Sequence, residues 1–474
     1  MKIRTRYAPS PTGFMHVGNL RSAIFEYLIA KHDDGDFLLR IEDTDQTRKV
    51  EGAVEFIYDT CKLCGLDFDE GPNNPGKYGP YTQSERLDIY KEYAHKLVEM
   101  GKAYYCFCSP ERLEELRHEA EERKIAFLYD GCCKKLTKEE IDEKIANGEG
   151  YVIRQKMPKE GISAYEDIVY GEISVENRIL EDQILLKSDG FPTYNFANVI
   201  DDHLMEITHV ARGNEYLMST PKYNLLYDAF GWEKPTYVHL PMVLGSDGQK
   251  LSKRNGDASF MDLYHDGYIP EGVVNYLALL GWSPETTDEI FTLEELIKIF
   301  DPKRISKSPA TYDIKKLNWI NAHYMKKLDI DSLLSITVPH LQKAYDLSGK
   351  SDEWIKHLVS IYQDHISYGK EIVEVTDLFF KDHIDYNDEC KEIMNDETVP
   401  NTLKVFKEEI ENINDWNIEN INLVINNVKE KANIKGKMLY MPIRIKVSGQ
   451  MHGPELPDTI YLLGKDVILK RLSK

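Results

Sequence analysis

Five groups of residues carry side chains whose types and spacing can do chemistry. His16 stands in the loop APSPTGFMHVGN (8–19), which feeds the start of a helix. Free N–H groups and the positive end of the dipole at such a start hold a phosphate, and Gly18 lets the backbone approach it closely. Arg212 ends a predicted strand. A guanidinium grips a carboxylate bidentately, so Arg212, with Arg6 as a second positive contact, reads an acidic substrate; surface salt bridges are the plain alternative. Glu42, Asp43 and Asp45 follow a strand and face the crevice at its carboxyl end, where a turn with an N-cap is the plain alternative. VLGSDGQKLSKRNG (243–256) sets a lysine-serine-lysine-arginine run behind a Ser-Asp-Gly turn, a positively charged loop that in isolation reads as a solvated basic patch. Finally, Cys106-x-Cys108 with the distant Cys132-Cys133 offers soft ligands for a tetrahedral zinc.

These groups need elements to hold them. Residues 3–8 suit a short buried strand, and Leu20, Ala23, Ile24, Tyr27 and Leu28 form the apolar face of the helix that follows. FLLRI (37–41), YVIRQ (151–155), 173–175, 183–187 and 207–210 read as further strands, and 222–230 as a helix. Tyr194 and Asn198 are spaced i, i+4. Asp201-Asp202-His203 closes their segment, and caps and turns are the expected role. The Glu/Lys runs at 111–124 and 134–144 read as solvated helix faces. Trp319, at helical spacing, is expected in the core. Beyond about residue 331 the pattern is helical.

With 474 residues the chain exceeds one core and fits about three to five modules. No apolar run approaches the roughly twenty residues of a membrane span, so a soluble cytoplasmic protein is expected. Seven cysteines do not make a disulfide framework. A net charge of -21 excludes indiscriminate binding of nucleic acid. Distribution tempers this: residues 431–474 carry nine Lys/Arg against three acids, whereas 331–430 carry nine against twenty-one. A basic end can steer a polyanion to one face.

RTRYAPSPTG followed by HVGN resembles the HIGH signature of class I aminoacyl-tRNA synthetases, in the form of the glutamyl and glutaminyl branch, with Asn19 in place of the second histidine. KLSKR (250–254) resembles their KMSKS signature, separated from the first by an insertion as class I enzymes require. FLLRIEDTD, GPYTQSERLDIY (79–90) and SDGFPTYNFANVIDDH (188–203) extend the likeness over essentially the whole chain, and bacterial glutamyl-tRNA synthetases are the members it looks most like. The resemblance implies ATP with Mg²⁺, L-glutamate and tRNA(Glu) as partners, with tRNA(Gln) as a further possibility, no membrane, and a monomer.

It further implies that His16, Lys250 and Lys253 stabilise charge on the α-phosphate and leaving pyrophosphate. ATP would be held by Ser10, His16, Gly18, Asn19, Glu215, Leu244, Ser252 and Lys253. Glutamate would be held by Arg6, Ala8, Ser10, Glu42, Tyr194, Asn198 and Arg212, with Glu42 on the amino group. Some relatives carry a zinc knuckle to which Cys106, Cys108 and Cys133 correspond. Lys135 stands where its histidine would be, leaving Cys132, Tyr129 or water as fourth ligand, or a metal-free pair of loops.

The fold class implied is α/β: a Rossmann-like parallel-sheet catalytic domain (1–90 and 189–247) with an inserted α+β acceptor-binding domain (91–188). A KMSKS loop and stem-contact domain (248–330) and a helical anticodon-binding region (331–474) follow. Three competitors remain. A glutaminyl enzyme would not need a guanidinium for its amide and carries β-barrel anticodon domains. A glutamyl-queuosine enzyme lacks the anticodon half. A silent paralogue would bind tRNA without catalysis.

Overall fold

A computed structural model describes every residue except 1, 14, 49, 126, 252–258, 382 and 474. The chain divides into two compact units, Met1–Asp262 with Val273–Ile314, and Leu263–Gly272 with Lys315–Lys474.

The first unit is built from short strands crossing over through helices. β1 (Arg4–Tyr7), α1 (Val17–His32) and β2 (Asp36–Leu39) form a βαβ step in which β2 pairs parallel to β1, Arg6 opposite Leu38. α1 is buried around most of its circumference, from Val17 and Leu20 to Ala30, so it lies inside the unit rather than on its surface. α2 (Ala53–Leu63) and α3 (Leu87–Glu99) lead to β3 (Ala103–Cys106), α4 (Pro110–Glu122), α5 (Lys138–Ala146) and β4 (Val152–Gln155). Neither α4 nor α5 buries more than one residue, as their Glu/Lys content requires. β5 (Ile162–Asp167) and β6 (Gly171–Glu176) form an antiparallel hairpin. β7 (Ile184–Leu186), α6 (Tyr194–Leu204), β8 (His209–Gly213), α7 (Thr220–Phe230) and β9 (Thr236–Leu240) complete the sheet region.

Two sheets of more than two strands result, β3-β4-β7 and β6-β5-β9-β8. In the second, β8 and β9 are parallel over five residue pairs, and β5 joins β9 through Asp167 opposite Tyr237. The hairpin within 91–188 thus extends the sheet that carries Arg212. A bond from the Thr208 amide to the Arg4 carbonyl, 3.0 Å, ties the start of β8 to β1. β10 (Val243–Leu244) pairs parallel with β11 (Ala310–Thr311), and Leu244 bridges Lys250 across the Gly245–Gly248 turn.

In the second unit every regular element described beyond residue 330 is helical. One apolar cluster gathers around Leu333, Leu341, Leu358 and Ile372, another around Phe406, Ile425, Ile443 and Ile460. Two expectations need correction. Trp319, in the helix Ile314–Met325, is 46% exposed, with its ring edge-on to His323; helical spacing does not say which stripe faces the core. Asp201 and Asp202 do not cap or turn. They lie inside α6, buried, because arginines from three other segments converge on them.

Candidate active site

The ends of β1, β8 and β9 and the start of α1 surround a cavity of about 610 Å³. His16 is the N-cap of α1, with extended backbone, and its carbonyl accepts the amides of Asn19 and Leu20 at 3.0 and 3.1 Å. A Cβ on Gly18 would stand 3.1 Å from His16 Nδ1 and 3.2 Å from Cε1. Glycine therefore leaves the space the imidazole uses. Of the residues expected around a nucleotide, Ser10, His16, Gly18, Asn19, Glu215 and Lys250 line the cavity. Leu244 does not. Its neighbour Val243 does, because the strand alternates sides. Ser252 and Lys253 lie outside the described residues.

Of the residues expected around an amino acid, Arg6, Ala8, Ser10, Glu42, Tyr194 and Arg212 line the same cavity. Asn198 does not: one turn along α6 from Tyr194 it is buried, and its Nδ2 has no hydrogen-bond partner among the described residues. Asp45 also lines the cavity, whereas Asp43 does not and instead ties its loop to the segment at Ser84. Asp43 accepts the Ser84 amide and hydroxyl at 2.8 and 2.7 Å, and Asp45 the Thr47 amide and hydroxyl at 3.2 and 2.7 Å.

Below the cavity lies an ionic network that the linear sequence did not disclose. Arg6 Nε is 2.9 Å from Asp202 and its Nη1 3.2 Å from Glu26. Arg40 reaches Asp202 at 2.7 Å and Glu42 at 2.9 Å, and Arg86 reaches Asp201 at 2.8 Å. Gln83 and Tyr90 also donate to Asp201, at 2.9 and 2.7 Å. Four carboxyl groups thus face three guanidiniums. Burial opposes the charge of Asp202, yet Arg6 and Arg40 outweigh it and hold its carboxyl below the usual range. Glu42 and Glu26 go the other way, pushed up by burial that the arginines only partly offset.

Arg6, expected as a second positive contact, is therefore already neutralised. Arg212 differs. Its Nη2 donates to Thr220 Oγ1 at 2.7 Å and its Nε to His239 Nε2 at 3.2 Å. The rings of Tyr223, Tyr216 and Tyr237 lie 4.7, 5.2 and 5.4 Å away, an attractive setting for a cation. No acid pairs with it among the described residues.

Comparison with known proteins gives the family. A family model described as the catalytic domain of class I tRNA synthetases (E and Q) matches residues 2–319, and one described as an anticodon binding domain matches 332–474. The glutamate–tRNA ligase of Bacillus licheniformis is 47% identical over 99% of this chain and 98% of its own. That of Clostridium botulinum strain Eklund 17B is 52% identical over 100% and 98%. The chain belongs to the class I tRNA synthetases of the E and Q type. A crystal structure of the glutamate–tRNA ligase of Elizabethkingia meningosepticum in complex with its amino acid superposes on this synthetase with a TM-score of 0.87, at 34% identity and covering 100% of this chain and 99% of that one.

Two further features of the synthetase lie apart from the cavity. Cys106, Cys108 and Cys133 place their sulfurs within 4.8 Å of one another. The Tyr129 hydroxyl is 3.3 Å from Cys106 and 3.2 Å from Cys108, while Cys132 is 3.4 Å from Cys108 and 3.7 Å from Cys133. A bond from Cys133, against the cost of burial, and another from Tyr129 draw the Cys106 thiol below its ordinary pKa. In the second unit a cavity of about 660 Å³ is lined by His365, Asn422, Asn426, Tyr440, Arg444 and His452.

Proposed function

We propose that this synthetase joins L-glutamate to tRNA(Glu) at the expense of ATP. The observation that carries the reading is Arg212, a buried guanidinium caged by three tyrosines with no acid of its own among the described residues, at the edge of the cavity. A glutamate side chain supplies the missing carboxylate; a glutamine amide would leave the charge unanswered. The substrate ammonium finds its counterpart in Glu42, the carboxyl of the ionic network that stands at the cavity wall.

In the reaction a glutamate α-carboxylate oxygen attacks the α-phosphate of ATP in line, forming glutamyl-adenylate and releasing pyrophosphate, and the acyl group passes to the terminal ribose of tRNA. His16, the amides at the start of α1, and Lys250 with Lys253 stabilise the charge on the phosphate. Mg²⁺ would accompany the nucleotide and neutralise its phosphates. Residues 1–90 and 189–247 form the catalytic domain in this reading, 91–188 holds the tRNA acceptor end, 248–330 the stem and 331–474 the anticodon. The cavity with Tyr440 and Arg444 offers a base a stacking face and a phosphate a cation.

The cysteine cluster suits zinc. Thiolates at tetrahedral vertices around zinc sit about 3.8 Å apart for Zn–S bonds near 2.3 Å, close to the 3.6 Å between Cys108 and Cys133. Cys106, Cys108 and Cys133 would hold the ion, with Tyr129 as fourth donor, fixing the two loops against each other. A single chain in the cytoplasm is the working form we expect; no helix among the described residues is long and apolar enough to cross a membrane.

Charging of purified tRNA(Glu) and tRNA(Gln) in parallel with radiolabelled glutamate and with glutamine tests the reading. Glutamyl-tRNA(Glu) is expected, and glutamyl-tRNA(Gln) in addition would mark a non-discriminating form. Product from glutamine alone, or none from either, would overturn it.

A further inference from the structure

The pocket side chain that meets the substrate is itself held by a chain of directed hydrogen bonds. Asp167, at the end of β5, is fully buried; one carboxylate oxygen accepts the amides of Val169 and Tyr170 at 2.9 and 2.8 Å. The other accepts the amide of His239 at 3.0 Å and lies 2.6 Å from its Nδ1. A carboxylate so occupied can only accept, so Nδ1 carries the proton and Nε2 is the acceptor. Arg212 Nε–H donates to that Nε2. Arg212 Nη2 donates to Thr220 Oγ1, whose hydroxyl donates to the Tyr216 carbonyl at 2.8 Å. Every donor in the chain meets an acceptor, from Asp167 to Tyr216.

We propose that His239, oriented by Asp167, is the positioning residue that sets the rotation of Arg212: it takes Nε while Thr220 takes Nη2, so that edge of the guanidinium is consumed and the Nη1 and Nη2 edge is presented to the acidic side chain of the substrate. The inference rests on the reading that Arg212 receives that side chain. The tyrosine rings attract the cation without choosing an in-plane rotation, whereas the two N–H donors fix it. Burial keeps the imidazole neutral, against the pull of Asp167, which is the state in which Nε2 can accept.

The test uses the full chain with tRNA, measuring KM for glutamate, ATP and tRNA separately from kcat. His239→Leu removes the acceptor; glutamate KM is expected to rise at least about tenfold while kcat and the other two KM values stay within about twofold, the pattern of lost uniform binding. His239→Gln sets an oxygen near the place of Nε2 and should keep glutamate KM within about threefold of the parent. His239→Asn sets its oxygen near the place of Nδ1, facing Asp167, and should behave like the leucine variant, which keeps the comparison available if leucine prevents folding. A leucine variant with unchanged glutamate KM, a glutamine variant as impaired as asparagine, or an equal loss for all three substrates would overturn the proposal. A parent chain that ligates no glutamate would instead sink the reading it rests on.

Discussion

At the scale of single residues, the site depends on how closely atoms are allowed to approach. Gly18→Ala places a methyl 3.1 Å from the His16 ring, a contact tight enough to displace it. Because a lost transition-state donor costs about 2.7–4 kcal/mol, a displaced one is expected to lower kcat by about 10–100-fold with glutamate KM nearly unchanged. Aminoacylation kinetics of G18A check this, and a parallel rise in glutamate KM would place the fault elsewhere. Asp202→Asn acts through charge. Two arginines, Arg6 and Arg40, lose their common partner, and breaking a buried pair costs about 3–5 kcal/mol. The Asp202 carboxyl is depressed in the folded protein, so its contribution is complete above the unfolded value near about 3.9 and fades as the pH falls through the lower folded value. Melting curves should show a constant gap between parent and D202N from neutral pH down to about 4, closing only below it.

At the scale of elements, the two cysteine loops are the part whose order we assign to a metal. Purified protein is expected to carry about one zinc per chain, and Cys108→Ser to lose it. Elemental analysis decides the matter: a full complement in C108S, or none in the parent, would remove zinc from the description. The elements also show how far reading along the chain reaches. β1, α1, β2, β4, β7 and α7 were legible because their signals are local: alternation in FLLRI and YVIRQ, and apolar spacing from Leu20 to Leu28. His16, Arg212 and the cysteines were legible as side chains whose neighbours in sequence announce them. Asp167, His239 and the network of Arg40, Arg86, Asp201 and Asp202 were not, because His239 lies 72 residues from Asp167, Arg86 115 from Asp201 and Arg40 162 from Asp202. TYVHLP and AYEDIV carry no mark that the histidine of one meets the aspartate of the other. Asp201-Asp202-His203 was misread for the same reason, since a pair of acids inside a helix looks like a cap until its arginines are seen.

At the scale of the whole molecule, tRNA recognition should separate from amino-acid chemistry. Arg444→Ala, in the second-unit cavity, is expected to raise KM for tRNA(Glu) by about tenfold, as loss of one stacking or phosphate contact does, and to leave the KM values for ATP and glutamate within about twofold. Equal effects on all three would point to unfolding instead. The hairpin β5–β6 carries a different lesson. It belongs in sequence to the segment 91–188, yet Asp167 at its end joins β9 and anchors His239 behind Arg212. The boundaries at which one would cut to make a minimal catalyst are thus not the boundaries of the pocket. A chain trimmed of 91–188 and religated would leave a buried imidazole with no acceptor for its proton and an arginine with no fixed edge, so a shortened enzyme must either keep this hairpin or be redesigned around its loss.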